Sequence, residues 1–169
     1  TLWVGQAQPQ EKYPTKPIDI LVPFAPGGGT DLPARIAAAY LKQKWGVPVN
    51  VINKPGGNTI PACLEVYNAA SDGYTVLADC QPSASMVEVV VKNLPFKVME
   101  RSFIAMISTS PMVIFLNPAS PFKSVKDLEN EAKKKPETFT WTSCGGASGT
   151  DYFQRLFFLG RRGALGFRR

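Results

Sequence analysis

Val22-Pro23-Phe24-Ala25-Pro26-Gly27-Gly28-Gly29-Thr30-Asp31 stands between an apolar run, Ile18 to Val22, and a segment from Leu32 to Trp45 with apolar residues at helical spacing. The run is short enough for a buried strand, so the stretch reads as strand, tight loop, helix. Two prolines stiffen the approach, and three glycines permit positive φ and a close approach of backbone to whatever lies above the strand end. With side chains nearly absent, the loop offers main-chain N–H groups at a helix N-terminus. These and the helix dipole favour an anion such as a carboxylate or phosphate. A connection that merely needs flexibility is the competing reading of the same spacing. Thr30-Asp31 replaces the Gly-Lys-Ser/Thr end of a P-loop, and Gly27-Gly28-Gly29 lacks the G-x-G-x-x-G spacing of a dinucleotide fingerprint. An anion cradle of unassigned ligand is left.

Working outward, Val47 to Asn53 is a second strand rich in valine, and Lys54-Pro55-Gly56-Gly57-Asn58 a second glycine-bearing turn. Asn58 or Thr59 is positioned to cap a helix running through Ala69, with Pro61 tolerated in its first turn. Ser71-Asp72-Gly73 then turns the chain into a strand from Tyr74 to Ala78. Strand, helix, strand, helix, strand in this order predicts a parallel α/β sheet with its ligand crevice beyond the carboxyl ends of the strands. Phe24 to Thr30 and Asp79 to Ser85 emerge at those ends.

Composition narrows the function classes. The 169 residues are 44% hydrophobic, enough for a core, and no apolar run reaches the length a membrane-spanning helix needs. The formal charge is +6, but Arg161, Arg162, Arg168 and Arg169 carry four of the 19 basic residues; the remaining 15 face 13 acids, a net of +2. Charge therefore does not call for a nucleic-acid partner. Cys63, Cys80 and Cys144 are odd in number with no C-x-x-C spacing, which implies neither a zinc site nor a disulfide framework. With no histidine in the chain, Ser-His and Cys-His nucleophilic machinery cannot be built. No catalytic constellation, metal site or cofactor motif is found. The opening Leu2-Trp3-Val4-Gly5-Gln6-Ala7 reads either as the end of a signal peptide's apolar region or as an irregular terminus.

Tyr13-Pro14-Thr15-Lys16-Pro17-Ile18, Val22 to Asp31, Asn53-Lys54-Pro55-Gly56-Gly57-Asn58 and Ser71-Asp72-Gly73-Tyr74-Thr75 together resemble the solute-binding receptors of tripartite tricarboxylate transporters, the Bug-type periplasmic receptors. Asn93-Leu94-Pro95-Phe96, Asn117-Pro118 and Ser124-Val125-Lys126-Asp127-Leu128 follow the family pattern in order, so the similarity runs from about Tyr13 to about Phe158. The resemblance implies a type II periplasmic-binding-protein fold, in which two α/β domains joined by crossing strands close on an organic anion. Phe103 to Ser108 and Met112 to Asn117 are apolar stretches suited to that crossing. The expected division is a terminal segment 1–12, a first α/β domain 13–104, part of a second 105–160, and an arginine-rich tail 161–169 unlike the family. Ser124 is expected to cap a helix ending at Lys133-Lys134-Lys135, a solvated, dipole-compensated terminus. Thr138 to Thr142 is expected to form a strand.

By the same resemblance, the first-domain anion loop carries over to Phe24, Ala25, Gly27, Gly28, Gly29 and Thr30, and the third-strand exit to Cys80 and Ser83. The second-domain loop carries over to Ser143, Cys144, Gly145, Gly146, Ser148 and Thr150. Gly28 is placed where a side chain would intrude between backbone donors and anion, with φ freedom also required there. Asp31 and Asp151 read as first-turn helix acids, Cys80 and Cys144 as pocket thiols or small buried hydrophobes, and Phe24 and Trp141 as an aromatic wall or plain core. The implied function is non-enzymatic: a periplasmic receptor that captures a small carboxylate and delivers it to membrane transporter subunits, with no cofactor and no nucleic acid. The competing function is a small α/β enzyme or regulatory domain that binds a phosphorylated ligand at the glycine loop. Leu159 to Arg169 departs from the family where the helix from Thr150 should continue, so the chain is expected to be truncated or frameshifted there.

Overall fold

The computed structural model describes residues 12–80, 82–111, 113, 115–135 and 152. The chain divides into two compact units, Thr1–Asp79 and Cys80–Arg169.

The first unit is a parallel three-stranded sheet with helical crossovers. β1 (Ile18–Val22) leads through the glycine loop into α1 (Asp31–Trp45), then β2 (Val49–Asn53), a 3-10 turn at Gly57–Thr59, α2 (Ile60–Asn68) and β3 (Thr75–Leu77). Strand order is β2-β1-β3, all parallel, with Val22 opposite Asn53 and Leu21 opposite Leu77. β1 is central, and four of its five residues are buried, which is why it is a near-continuous apolar run rather than an alternating one. Ile20 and Val22 meet Ala34 and Ala38 of α1 in the core, and the small alanines let the helix lie close to the sheet. α1 ends where Gly46 takes a left-handed conformation (φ 71°) and donates its N–H to the Lys42 carbonyl.

Two of the sequence motifs interlock at the sheet's amino end. The Tyr13 hydroxyl donates to the Gly73 carbonyl at 2.7 Å, Lys16 pairs with Asp72 at 3.1 Å, and the Thr15 N–H donates to the Tyr74 hydroxyl at 2.9 Å. Lys16 also lies over the Tyr74 ring, 4.2 Å from its centroid. These contacts fix the entry to β1 and β3 and stand at the opposite end of the strands from the glycine loop.

The expected elements of this unit all form, and their ends shift by a residue or two. The capping of α2 differs. Thr59 occupies the N-cap with φ 71° and makes no side-chain cap; Asn58 at φ 51° caps nothing either. A run of positive φ from Gly56 to Thr59 turns the hydroxyl away from the free N–H groups of the helix, and the Cys63 thiol lies 4.0 Å from the Thr59 hydroxyl instead.

In the second unit a π-type turn, Pro82–Met86, runs into the short α3 (Val87–Val90), a 3-10 turn follows at Val98–Glu100, and α4 spans Val125–Lys134. Ser124 caps α4 as expected, through a full capping box: its hydroxyl accepts from the Asp127 N–H at 3.2 Å while the Asp127 carboxylate accepts from the Ser124 N–H at 2.9 Å. These contacts and the Lys123 N–H hold the Asp127 carboxyl below its ordinary range, the Lys123 bond first. Lys133, Lys134 and Lys135 are exposed, and Glu131 pairs with the last two.

The expected crossing strands are a correction. Residues 103–108 form no strand, nor do the described residues of Met112 to Asn117, with Met112 and Ile114 lying outside the description. Phe103, Ile104, Met106 and Phe115 are exposed. Apolar content gave these stretches β propensity, but a strand needs a ladder partner, and none is present for them among the described residues. The expected strand Thr138 to Thr142 and the tail from Leu159 lie outside the described residues.

Candidate functional site

The glycine loop leaves β1 at its carboxyl end and returns as α1. Its shape is set by three polar side chains from two elements, α1 and β2. Asp31, the first residue of α1, is only 1% exposed. One carboxylate oxygen, Oδ2, accepts from the Gly27 N–H at 2.8 Å and from Arg35 Nε at 2.9 Å; the other, Oδ1, accepts from Asn53 Nδ2 at 2.8 Å. Asn53 Nδ2 also donates to the Phe24 carbonyl at 3.0 Å, and Asn53 Oδ1 accepts from Arg35 Nη2 at 2.9 Å. The guanidinium of Arg35, the Gly27 N–H and the Asn53 amide, in that order of weight, hold the Asp31 carboxyl down to about 2, and Asp31 in turn raises Arg35.

Physical chemistry brings these groups together. Asp31 and Arg35 are four apart on α1 and so share a face. Asn53 is the last residue of β2, and the parallel register that sets it opposite Val22 delivers its amide to the loop that β1 enters. The Lys54 N–H continues the ladder to the Val22 carbonyl at 2.8 Å. A buried carboxylate is tolerated only when paired and hydrogen-bonded, and here both oxygens are engaged.

Of the expected loop residues, Ala25, Gly27 and Gly29 are exposed, while Phe24, Gly28 and Thr30 are half-buried. Only Gly27 among the three glycines takes positive φ, at 82°. The expectation that Gly28 needs φ freedom is corrected: its φ lies outside the left-handed range, and an added Cβ would sit 3.5 Å from the Ala25 carbonyl, an ordinary contact. The Gly27 N–H is given to Asp31 rather than held out to solvent. Among the described residues, the N–H groups of Gly29 and Thr30 have no acceptor, and they lie at the positive end of a 15-residue helix. Thr30 makes no side-chain cap, so its hydroxyl is not spent on the helix. Phe24 packs on the core cluster from its half-buried position.

Cys80 opens the second unit and is half-buried, and Cys63 is buried in the first; both are thiols. Ser83 falls in the Pro82–Met86 turn. Ser143, Cys144, Gly145, Gly146, Ser148 and Thr150 lie outside the described residues, as do Trp141 and Asp151.

Against known proteins, the profile described as tripartite tricarboxylate transporter family receptor matches residues 33–156. The chain belongs to this receptor family. Among curated relatives, a UPF0065 protein of Bordetella pertussis is 37% identical over 135 residues, covering 80% of this chain and 42% of its own length. Protein BugT of the same organism is 33% identical over 128 residues, covering 75% of this chain and 39% of its own. The chain thus spans about two-fifths of these relatives. Among solved structures, a periplasmic transporter superposes with a TM-score of 0.73 at 27% identity, over 92% of this chain and 53% of that one. An R. palustris protein solved with adipate gives 0.71 at 24% identity, over 86% and 49%. The fold is that of the periplasmic binding receptors. The receptor family's resemblance in the motifs now has a structural basis: the Val22 to Asp31 and Asn53 to Asn58 motifs meet through the Asp31–Asn53 bond.

The residues that build the loop are Asp31, Arg35 and Asn53. Sequence reading placed Asp31 as a helix acid, left Arg35 unremarked and quoted Asn53 only within a motif. The spacing of Asp31 and Arg35 was a signal that could have joined them; nothing short of the β1–β2 register could have added Asn53.

Proposed function

We propose that this protein is a periplasmic solute-binding receptor that captures a small organic acid and delivers it to the membrane subunits of a tripartite tricarboxylate-type transporter, without catalysing a reaction. The observation that carries this reading is the glycine loop itself. It offers main-chain donors at the end of α1, with no Lys or Arg within the loop and its nearest guanidinium already engaged by Asp31 and Asn53. Such a site suits a carboxylate taken up reversibly, held by N–H groups, hydroxyls and water rather than by a fixed ion pair. Membership of the receptor family supports the assignment, and the adipate in the R. palustris structure supports a carboxylic acid as the class of solute. In this reading Gly28, Gly29 and Thr30, with Phe24 and Ala25 beside them, form one anchor. Cys80, Ser83, Ser143, Cys144, Gly145, Gly146, Ser148 and Thr150 are further candidate solute contacts, on family resemblance alone.

The test is a calorimetric and thermal-shift screen of the intact receptor against mono- and dicarboxylates, adipate included, without added metal. A solute at a hundredfold excess over its Kd should add about 2.7 kcal/mol of stability. Binding of neutral sugars or nucleotides alone, or magnesium-dependent turnover of a phosphorylated compound, would overturn the reading.

A further inference from the structure

A loop that receives an anion already holds one. Asp31 is buried, and its carboxylate faces back into the glycine loop instead of outward from the helix. Three donors from three places close on it: the Gly27 N–H from the loop, Arg35 Nε from the next turn of α1, and Asn53 Nδ2 from the end of β2. Asn53 binds the Phe24 carbonyl with the same amide, so both ends of the loop are tied to one side chain. Gly27 sits at φ 82° with no atom within 4 Å of where a Cβ would be. Local crowding therefore does not force its conformation, and the bond to Asp31 is what orients its N–H.

A glycine-rich loop without such a tie would sample many conformations, and a solute would have to order it on binding at a cost in backbone entropy. We infer that Asp31 is a positioning residue for solute capture, a resident carboxylate that occupies the Gly27 N–H and holds the Gly29 and Thr30 N–H groups ready for the solute's own carboxylate. This rests on the receptor reading given above. Arg35 is what makes the arrangement tolerable, because an un-neutralised Asp31 so near the site would repel an anionic solute. Its guanidinium bridges Asp31 and Asn53 with separate nitrogens, a fork that lysine cannot reproduce.

The experiment uses the intact receptor and two readouts. Amide hydrogen exchange of the segment 24–32 is measured without solute, and affinity is measured by calorimetry with succinate, glutarate and adipate as probes. Asp31→Ala should speed loop exchange and weaken the best probe by about 10- to 100-fold, the loss that goes with removing hydrogen bonds to a charged group. Added formate should slow the loop exchange of Asp31→Ala again, since a free carboxylate can take the vacated place; loss of mere helix stability would not be restored this way. Arg35→Lys keeps the charge and loses the fork, and should fall between wild type and Asp31→Ala in both readouts; it also serves if Asp31→Ala does not fold. Unchanged loop exchange in these variants, or loosened exchange with unchanged affinity, would overturn the proposal. If the wild type binds none of the three acids, the receptor reading for carboxylates fails on its own, and the exchange data alone decide whether Asp31 holds the loop.

Discussion

Gly27 and Gly28 are neighbours of one residue type, yet alanine should destabilise the protein at Gly27 and not at Gly28. Gly27 holds φ at 82°, and its added Cβ would have nothing within 4 Å, so the cost of Gly27→Ala is backbone conformation without a clash. Placing an L-residue in the left-handed region costs about 1–2 kcal/mol. The narrower unfolded ensemble of alanine returns about 0.4–1 kcal/mol, leaving a net loss near 1 kcal/mol. At Gly28 the φ is outside that region and the new Cβ meets the Ala25 carbonyl at 3.5 Å, so only the unfolded-state gain remains. Urea denaturation of the intact receptor is the assay. With a slope of about 1–3 kcal/mol/M, Gly27→Ala should lower the midpoint by about 0.3–1 M, and Gly28→Ala should leave it level or raise it slightly. Equal losses at both sites, or a loss confined to Gly28→Ala, would refute the reasoning that one positive-φ hinge shapes this loop.

Gly28→Val should impair carboxylate binding by blocking close approach while circular dichroism shows the fold retained; unchanged affinity in calorimetry would remove Gly28 from the site. Asp31 is held down to about 2, so its contribution to stability is complete above the unfolded carboxylate range near pH 4 and is lost as pH falls toward 2. Melting temperature should therefore drop across that window in the wild type, and less steeply in Asp31→Asn, which has no such proton to take up. Ser124→Ala removes the α4 cap and should cost about 1 kcal/mol in chemical denaturation, the usual value for a lost N-cap. Lys134→Ala, on the exposed end of the same helix, should leave both stability and carboxylate affinity within error.

Much of the first unit was legible in the chain because its determinants are local. Ile18 to Val22 is apolar but for the half-buried Asp19, close to what a strand covered on both faces requires, and the Leu32 to Trp45 pattern has one buried alanine stripe at helical spacing. Strand–helix alternation then dictates parallel pairing, since a helical crossover leaves no other economical path. Ser124 with Asp127 three residues on announced the capping box of α4 for the same reason: donor and acceptor lie within one turn. Where the local signal was propensity alone, it misled. Phe103 to Ser108 has strand composition, but a strand is a relation between two segments, and composition describes only one.

The sequence by itself determined that a glycine-rich turn joins β1 to α1 and that its main-chain donors suit an anion. Only the tertiary structure decided which anion comes first. Asn53 lies 22 residues from Asp31, and no periodicity links them; the β1–β2 register does, by setting Asn53 opposite Val22 and its amide against both the Phe24 carbonyl and the Asp31 carboxylate. The same distinction separates Gly27 from Gly28. Identical in the chain, they differ because hydrogen-bond geometry is satisfied through three dimensions, and the buried Asp31 carboxylate reaches just one of their two N–H groups.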